Sequence, residues 1–442
     1  MRALALEMRP ALGLLSRLAS AVAIGSAAAT PSSAALATFK LERIARSRGA
    51  IYSNDGYHYA VLAASGGRES WIKDGRVVDS AAAGTFPKPG SLGEDATAAI
   101  SDHGGVLLYV ARVRGDSARG AGKAVFINAK PIDGGSYEDV RGVQLSPEGR
   151  NAGYLALGAG GWTAITNSGS SPVSAQKPGH FRVGSASTVY LLRLQGRNWL
   201  YRDHRPVATS GDYTDVAVSP DGRRIAGCLS RDDGIVIEVD GAVCGPWPMA
   251  GTPKFGPDGH HFGFFVRRHA GETGYDAVIV DGEKNKIYPM SSKDAIFLRL
   301  SPGDGMPFWV EHSDRRGDTI FAAGKRLGSW RLVDLGANWI AFSPSGRHYA
   351  FLADRGGSTE LVVDGRVLEK GAPLPDDTAV LAFDDEDEFH YMAYDGERMI
   401  LVCGTRDDTL ARKTKCARIG RARAAAVRKA ERIGFIPGLR TK

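Results

Sequence analysis

A short turn of the form Ser-Pro-Asp/Ser-Gly recurs along this chain and restricts what it can fold into. It is clearest at Ser219-Pro220-Asp221-Gly222 and Ser343-Pro344-Ser345-Gly346. Serine at the first corner, proline next and glycine last suit a type I turn. After each turn comes an apolar stretch, a short loop and a second apolar stretch, often closed by Asp-Gly, a hairpin dipeptide. Residues 342–368, FSPSGRHYAFLADRGGSTELVVDGRVL, show the whole unit. One such strand–loop–strand unit cannot bury both of its faces, so it requires neighbours.

Nine units are legible. Their turns end at Gly56, Gly104, Gly149, Ser187, Gly222, Gly259, Gly305, Gly346 and Glu388, about 42 residues apart on average. That is the period of a four-stranded propeller blade. Two units are degenerate: Ser187 stands where glycine is expected, and the acidic run 384–388 replaces the ninth turn. Each unit has two strong strands and a weaker interval, rich in Pro, Gly and Asp, that leaves room for two more. The 56 glycines, about twice the usual share, serve these turns. Three residues past each turn end the side chain is apolar or aromatic, as at Tyr59, Tyr190 and Tyr349. The next is small in five units: Ala60, Gly153, Ala226, Gly263 and Ala350. Crowding near an axis favours small residues, so the strand after the turn is expected to be innermost.

The pattern Φ-S-P-D-G-R, an apolar strand, then V-V-D-G, resembles the WD40-like "PD40" propeller repeats. These occur in the C-terminal domain of TolB and in the propellers of prolyl-oligopeptidase relatives. The resemblance covers roughly residues 40–408. The α/β domain that precedes the propeller in TolB has no room here, so the chain is not read as TolB itself, and the peptidases' hydrolase domain is missing. The resemblance implies a periplasmic envelope scaffold.

The expected fold is therefore all-β, a single propeller over residues 38–408 with nine blades, eight being left open. Two N-terminal strands, 39–46 and 49–53, are expected to join the ninth unit as its outer pair and close the ring, removing free sheet edges.

The flanks differ in kind. Residues 1–37 read as a leader: Arg2, Arg9 and Arg17 precede the mostly apolar run 18–29, with cleavage after Ala29 or Ala37. About twelve apolar residues are too few to span a bilayer, which takes roughly 20. A periplasmic or secreted location is expected, with no transmembrane span. Residues 409–442 hold eleven Lys or Arg and one acid, so the net charge of +7 is concentrated in the tail and the body is net acidic. The body is therefore not expected to bind nucleic acid. Residues 418–434 suit a helix with the stripe Ile419, Ala422, Ala426, Ala430 and Ile433. Docking of that stripe on the propeller is expected; contact of the basic face with an anionic surface is the alternative.

Of four cysteines, Cys228 and Cys244 should be kept apart by Ile237 if the hairpins are regular, whereas Cys403 and Cys416 are the candidate disulfide. Neither pair has the doubled C-x-x-C spacing of structural zinc.

Chemistry is thinly signalled. His58, His261, His348 and His390 lie two residues past their turn ends, which places them at the expected channel mouth. Ligands from different blades would have to converge to ~2 Å bonds, so no metal is expected there. The run 384–388, with Asp376 and Asp377, has oxygens enough for calcium but not the EF-hand spacing, and reads as a solvated turn. No G-x-S-x-G or H-E-x-x-H occurs, and no cofactor or catalytic residue is assigned. The reading is a non-catalytic, exported propeller that binds a protein or glycan ligand on a loop face. The alternative is an enzyme acting on a carbohydrate or peptide at the channel mouth, through a carboxylate pair assembled across blades.

Overall fold

The structure, a computed structural model, describes residues 36–43, 47–89, 95–114, 121–132, 135–207, 212–269, 274–283, 286–290, 295–312, 318–332, 340–354, 358–370, 380–394, 398–406 and 415–432. The nine units form nine blades of a β-propeller. Blade 5 is representative: Asp212–Val218, Ile225–Arg231, Gly234–Val239 and Ala242–Trp247 pair antiparallel in chain order.

The strand order corrects one expectation. The strand ahead of each turn, not the one after it, is innermost. In blade 8 that strand comes in two pieces, Arg331 and Leu332 pairing with Asp354 and Ala353, and Ala341–Phe342 pairing with Ala350 and Tyr349. It is followed by Tyr349–Asp354, Thr359–Val363 and Arg366–Lys370. The two strong strands of each unit are thus the middle pair, covered on both faces by neighbouring blades. This is why they read as the most apolar. The small residues after the turn fit the same correction. A side chain at Gly153 would strike Phe181 of the next blade at 2.7 Å, and one at Gly263 would meet Leu300 at 3.1 Å. They are small because the next blade's inner strand packs there.

Ring closure is corrected as well. Of the two N-terminal strands, Leu36–Arg43 alone joins blade 9, as its outer strand beside Arg398–Thr405. Ser47–Tyr52 instead opens blade 1, pairing with Tyr59–Ser65. The reason is the rule just stated: a stretch directly ahead of a Ser-containing turn is that blade's inner strand.

The turn chemistry is uniform. The opening serines Ser53, Ser101, Ser146, Ser219, Ser301 and Ser343 are buried. In each, the hydroxyl accepts the amide five residues on, as His58 to Ser53 (2.9 Å) and Arg224 to Ser219 (2.9 Å). The closing glycine adopts positive φ, +76° at Gly346. The Asp-Gly hairpins join third and outer strands with both residues at positive φ, as Asp364 (49°) and Gly365 (76°), the type I′ geometry.

The core lies between blades, filled by side chains of the middle strands such as Tyr59, Tyr109, Tyr154, Trp309 and Tyr391. Blade 6 has its inner strand split into Met249–Ala250 and Lys254–Phe255 around Pro253, which cannot donate to a ladder.

The helix Lys415–Arg432 begins three residues earlier than expected and lies against Leu36–Arg43. Among its residues whose burial is described, Cys416, Ala417, Gly420 and Ala424 are buried, while Ala422 of the expected stripe is exposed. The disulfide sets that rotation: Cys403 and Cys416 are bonded, with Cα atoms 5.7 Å apart. Ile433 of the stripe lies outside the described residues, as do Asp376 and Asp377. Cys228 and Cys244 are free, and Ile237 pairs with both, separating them as expected. Burial pushes the Cys228 thiol up to about 12. Among the described residues no helix is long and apolar enough to cross a membrane.

Candidate functional site

Three of the singled-out histidines share one position, five residues after the turn opener, and one job. Nδ1 of His58, His261 and His348 meets Oδ2 of the hairpin aspartate of its own blade: Asp74 (2.8 Å), Asp281 (2.8 Å) and Asp364 (2.9 Å). The far side of each ring meets the neighbouring blade. His261 Nε2 lies 3.1 Å from the Gly303 carbonyl, a side chain at Gly104 would overlap His58, and His348 Nε2 contacts Arg406. Blades without histidine use other residues at this position. Asn151 donates to the Gly184 and Ser185 carbonyls (3.0 and 2.9 Å), Ser187 to Gly222 (2.5 Å), and Arg224 to both Asp240 (2.8 Å) and Gly259 (3.3 Å). The position clasps each blade to the next. It does not face the channel.

His390 is not equivalent to these. Blade 9 opens its turn at Asp384, whose amide bonds to the Glu388 carbonyl, so Glu388 takes the place of the other three histidines. His390 is 1% exposed, stacked on Tyr57 at 3.7 Å, with Nδ1 3.1 Å from Asp384 and Nε2 2.9 Å from the Asp55 carbonyl. Tyr57 donates to Asp384 at 2.5 Å. Burial works against the charge of Asp384, but His390 and Tyr57 hold its carboxyl below the usual range; burial and Asp384 together push the Tyr57 phenol far up. This knot joins blades 9 and 1, where the ring closes. Arg423 of the helix reinforces it through the Tyr57 carbonyl (2.7 Å).

The cavity on the axis is the feature all nine blades build. It measures about 750 Å³ and is lined by the inner strands and turn openers, from Asn54 and Asp102 in blades 1 and 2 to Phe383 in blade 9. None of the four histidines lines it, so their expected place at the channel mouth is not where the structure puts them. A second crevice, about 680 Å³, lies between the rims of blades 3 and 4.

The charges of the axial cavity were not anticipated from sequence. Arg182 and Arg299 line it, and Lys254 lies beside the lining residue Phe255 on the split inner strand. Of the acids, Asp102 is raised by burial, although it accepts the Asn54 amide, whereas Asp258 is lowered: burial opposes that shift, but the Gly303 and His260 amides outweigh it. Two buried carboxylates elsewhere serve the blades: Glu69 accepts from Arg48 and the Phe86 amide, and Glu311 from the Trp309 indole (3.1 Å). Among the described residues no group of three or more His, Cys, Asp or Glu is placed to hold a metal ion. That statement includes the described part of the acidic run 384–388.

No family model and no curated protein matches this chain. Several solved structures are similar to it in part. Dihydro-heme d1 dehydrogenase NirN is 14% identical over 75% of this chain and 77% of that one, with a TM-score of 0.40. The β-propeller domain of the Trilobed protease from Pyrococcus furiosus is 10% identical over 63% and 96%, at 0.35. Dipeptidyl peptidase 4 from Porphyromonas gingivalis is 12% identical over 79% and 65%, at 0.40. At such scores the likeness carries nothing about ligand or chemistry.

Proposed function

We propose that this chain is an exported, non-catalytic β-propeller that works as a binding scaffold, receiving its ligand or partner at the axial cavity. The observation that carries the reading is the composition of that cavity. All nine blades contribute to it, and two arginines line it. Its two described carboxylates, Asp102 and Asp258, stand on blades 2 and 6 and are each engaged by a neighbouring blade's turn, accepting the Asn54 and Gly303 amides. A glycoside-cleaving pair has instead to be free to flank a single bond. A volume near 750 Å³ falls within the range of small-molecule sites.

Export is supported by the Cys403–Cys416 bond, since disulfides persist in oxidising compartments, and by the leader-like residues 1–37. The PD40-like turn repeat supports a place in the cell envelope of the TolB kind.

The test is recovery of the full chain from the periplasm after in vivo crosslinking. A crosslinked partner or a co-purifying ligand, on a protein lacking its first residues, is the expected result. Turnover of a glycan or peptide by the purified protein would replace the scaffold with the enzyme reading. Recovery from the cytoplasm with an intact N-terminus would sink the export claim.

A further inference from the structure

Arg182, Lys254 and Arg299 come from blades 4, 6 and 7, yet they occupy one repeat-equivalent position. Each stands two residues ahead of its blade's turn opener, Gly184, Gly256 and Ser301. Each pairs with the second residue of the following strand: Val189, Gly263 and Phe308. The three therefore sit at one level of the ring. Between them, blade 5 has Ala217 at this level, paired with Ala226.

Gln144, the same position in blade 3, shows where such a side chain reaches. Its amide donates to the Phe181 carbonyl (2.7 Å) and its oxygen accepts the Val183 amide (3.1 Å). Those are backbone groups on the next blade's inner strand, the strand that walls the cavity. Next round the ring, blades 8 and 9 have Ala341 and Ala382 at this level, flanked by Phe342 and Phe383, all four lining the cavity. One arc of this level is cationic, and the arc that adjoins it is small and apolar.

One of the cations is also undercompensated. Among the described residues Arg299 meets no hydrogen-bond or ion-pair partner, and burial alone pulls its guanidinium down from its ordinary value. Lys254 is lowered by burial; Asp215 opposes that, while Arg182 and Arg299 push it down further. Asp215 is already engaged by His180 (2.7 Å), the Val216 amide (2.8 Å) and the Thr252 hydroxyl. An unpaired, half-buried cation such as Arg299 is costly to the fold, whereas Arg182, which donates to the Phe181 carbonyl (2.8 Å), and Lys254 keep much of their surface in solvent. A ligand anion would remove that cost.

We propose that the axial cavity binds a small amphiphilic organic anion. Its carboxylate or phosphate head is held by Arg182, Lys254 and Arg299, and its apolar body lies against the arc of Ala341, Phe342, Ala382 and Phe383. This rests on the reading of the protein as a binding scaffold and gives that scaffold a ligand class.

The test is calorimetric titration of the full chain at low salt with octanoate, octyl phosphate, octyl glucoside and citrate. One or both octyl anions should bind at least tenfold more tightly than octyl glucoside, which lacks the charge, and than citrate, which lacks the chain. Whichever of the two is tighter identifies the head group as carboxylate or phosphate. Arg299→Gln and Arg182→Gln should each weaken that binding about 10- to 100-fold, the effect of removing a charge-assisted hydrogen bond from a desolvated site. The unliganded Arg299→Gln protein should unfold at the same or a higher temperature than wild type. If a variant fails to fold, Lys254→Gln and the thermal shift of wild type by the same four probes answer the question. The proposal is overturned if the octyl anions bind no better than octyl glucoside, or bind all three variants unchanged. If every probe fails while a crosslinked partner is still recovered, the anion site is lost and the scaffold stands.

Discussion

His58 Nδ1 lies 2.8 Å from Asp74 Oδ2, and the other oxygen of the same carboxylate accepts the Tyr59 amide at 3.3 Å. One aspartate thus ties the hairpin between third and outer strands to the start of the second strand, and holds the imidazole whose far side meets the next blade. The arrangement recurs at His261–Asp281 and His348–Asp364. It explains at once why Asp precedes Gly in these hairpins and why histidine recurs five residues after the turn opener. The motif that defines the repeat is chiefly an inter-blade fastening.

That fastening should be pH-dependent at His261. Burial works against its charge, but the Asp281 hydrogen bond and the Gly303 carbonyl outweigh it and raise the imidazole above its ordinary 6.5. Asp281 is lowered: burial opposes this, and His261 and Lys286 prevail. A group with a raised folded-state value stabilises fully below its unfolded value and loses that contribution as pH rises through the folded one. The clasp should therefore be strongest below pH 6.5, while Asp281 stays ionised, and weaken above it. For a partly exposed pair the effect is about 0.5–1 kcal/mol. Thermal unfolding of wild type and His261→Gln across this range checks it: the gap between them should narrow as pH climbs. A gap independent of pH would remove the charge from the account.

Gly346 and Gly66 both have positive φ, 76° and 57°, but differ in surroundings. A side chain at Gly346 would come within 2.1 Å of the Pro302 carbonyl oxygen in the neighbouring blade's turn, whereas nothing lies within 4 Å at Gly66. Gly66→Ala should cost only the left-handed conformational penalty, about 1–2 kcal/mol. Gly346→Ala must also push two blades apart, for a total on the order of 3 kcal/mol or more. Urea denaturation of the two variants distinguishes them. Equal losses would mean that the turns do not bear on each other across the blade interface.

What was legible in the sequence is what depends on neighbours along the chain. Ser-Pro-Asp-Gly turns and Asp-Gly hairpins are set by local φ and by serine's own hydroxyl, so nine units and their period could be read directly. The inner strands could not. In blades 6 and 8 they are broken into short pieces such as Lys254–Phe255 and Ala341–Phe342, too short for any periodicity to register. They form because the turn and the second strand template them. The cationic level was hidden for the same reason, since Arg182, Lys254 and Arg299 align only when counted back from the turn opener, and glycine replaces serine there in two of the three blades. The His–Asp clasp did leave a signal, a separation of 16 residues at both His58–Asp74 and His348–Asp364. His390 was grouped with them because the ninth turn is one residue shorter than the others.

If the chain is exported as proposed, the closing strand restricts where its leader is removed. Leu36 pairs with Gly404 and is 7% exposed. Cleavage after Ala29 leaves the whole of Leu36–Arg43 in place, while cleavage after Ala37 deletes Leu36 from the core, a loss of roughly 2 kcal/mol for one buried leucine. A chain starting at residue 30 should match the secreted protein in urea midpoint, and one starting at residue 38 should be less stable. Mass spectrometry of the exported protein should then show residue 30 as its N-terminus. A mature chain beginning at residue 38 would show that the ring tolerates a shorter closing strand.

The same seam predicts the strongest redox effect in the molecule. Cys403 sits on the strand beside the closing one, opposite Ala37, and Cys416 sits at the start of the helix packed on that closing strand. Lys415 and Arg423 of the helix reach Glu388 and the Tyr57 carbonyl, so the helix holds blades 9 and 1 together. A bond closing a loop of 13 residues contributes about 2–4 kcal/mol. Cys416→Ser, or reduction of the wild type, should lower stability by that amount and expose the basic tail to trypsin within otherwise native protein. Cys228→Ser and Cys244→Ser should not release the tail, because neither is bonded. The order of events under limited proteolysis decides the point. Tail cleavage should precede any cut in the blades, and if reduction leaves the tail as resistant as before, the helix is held by its packing and ion pairs alone.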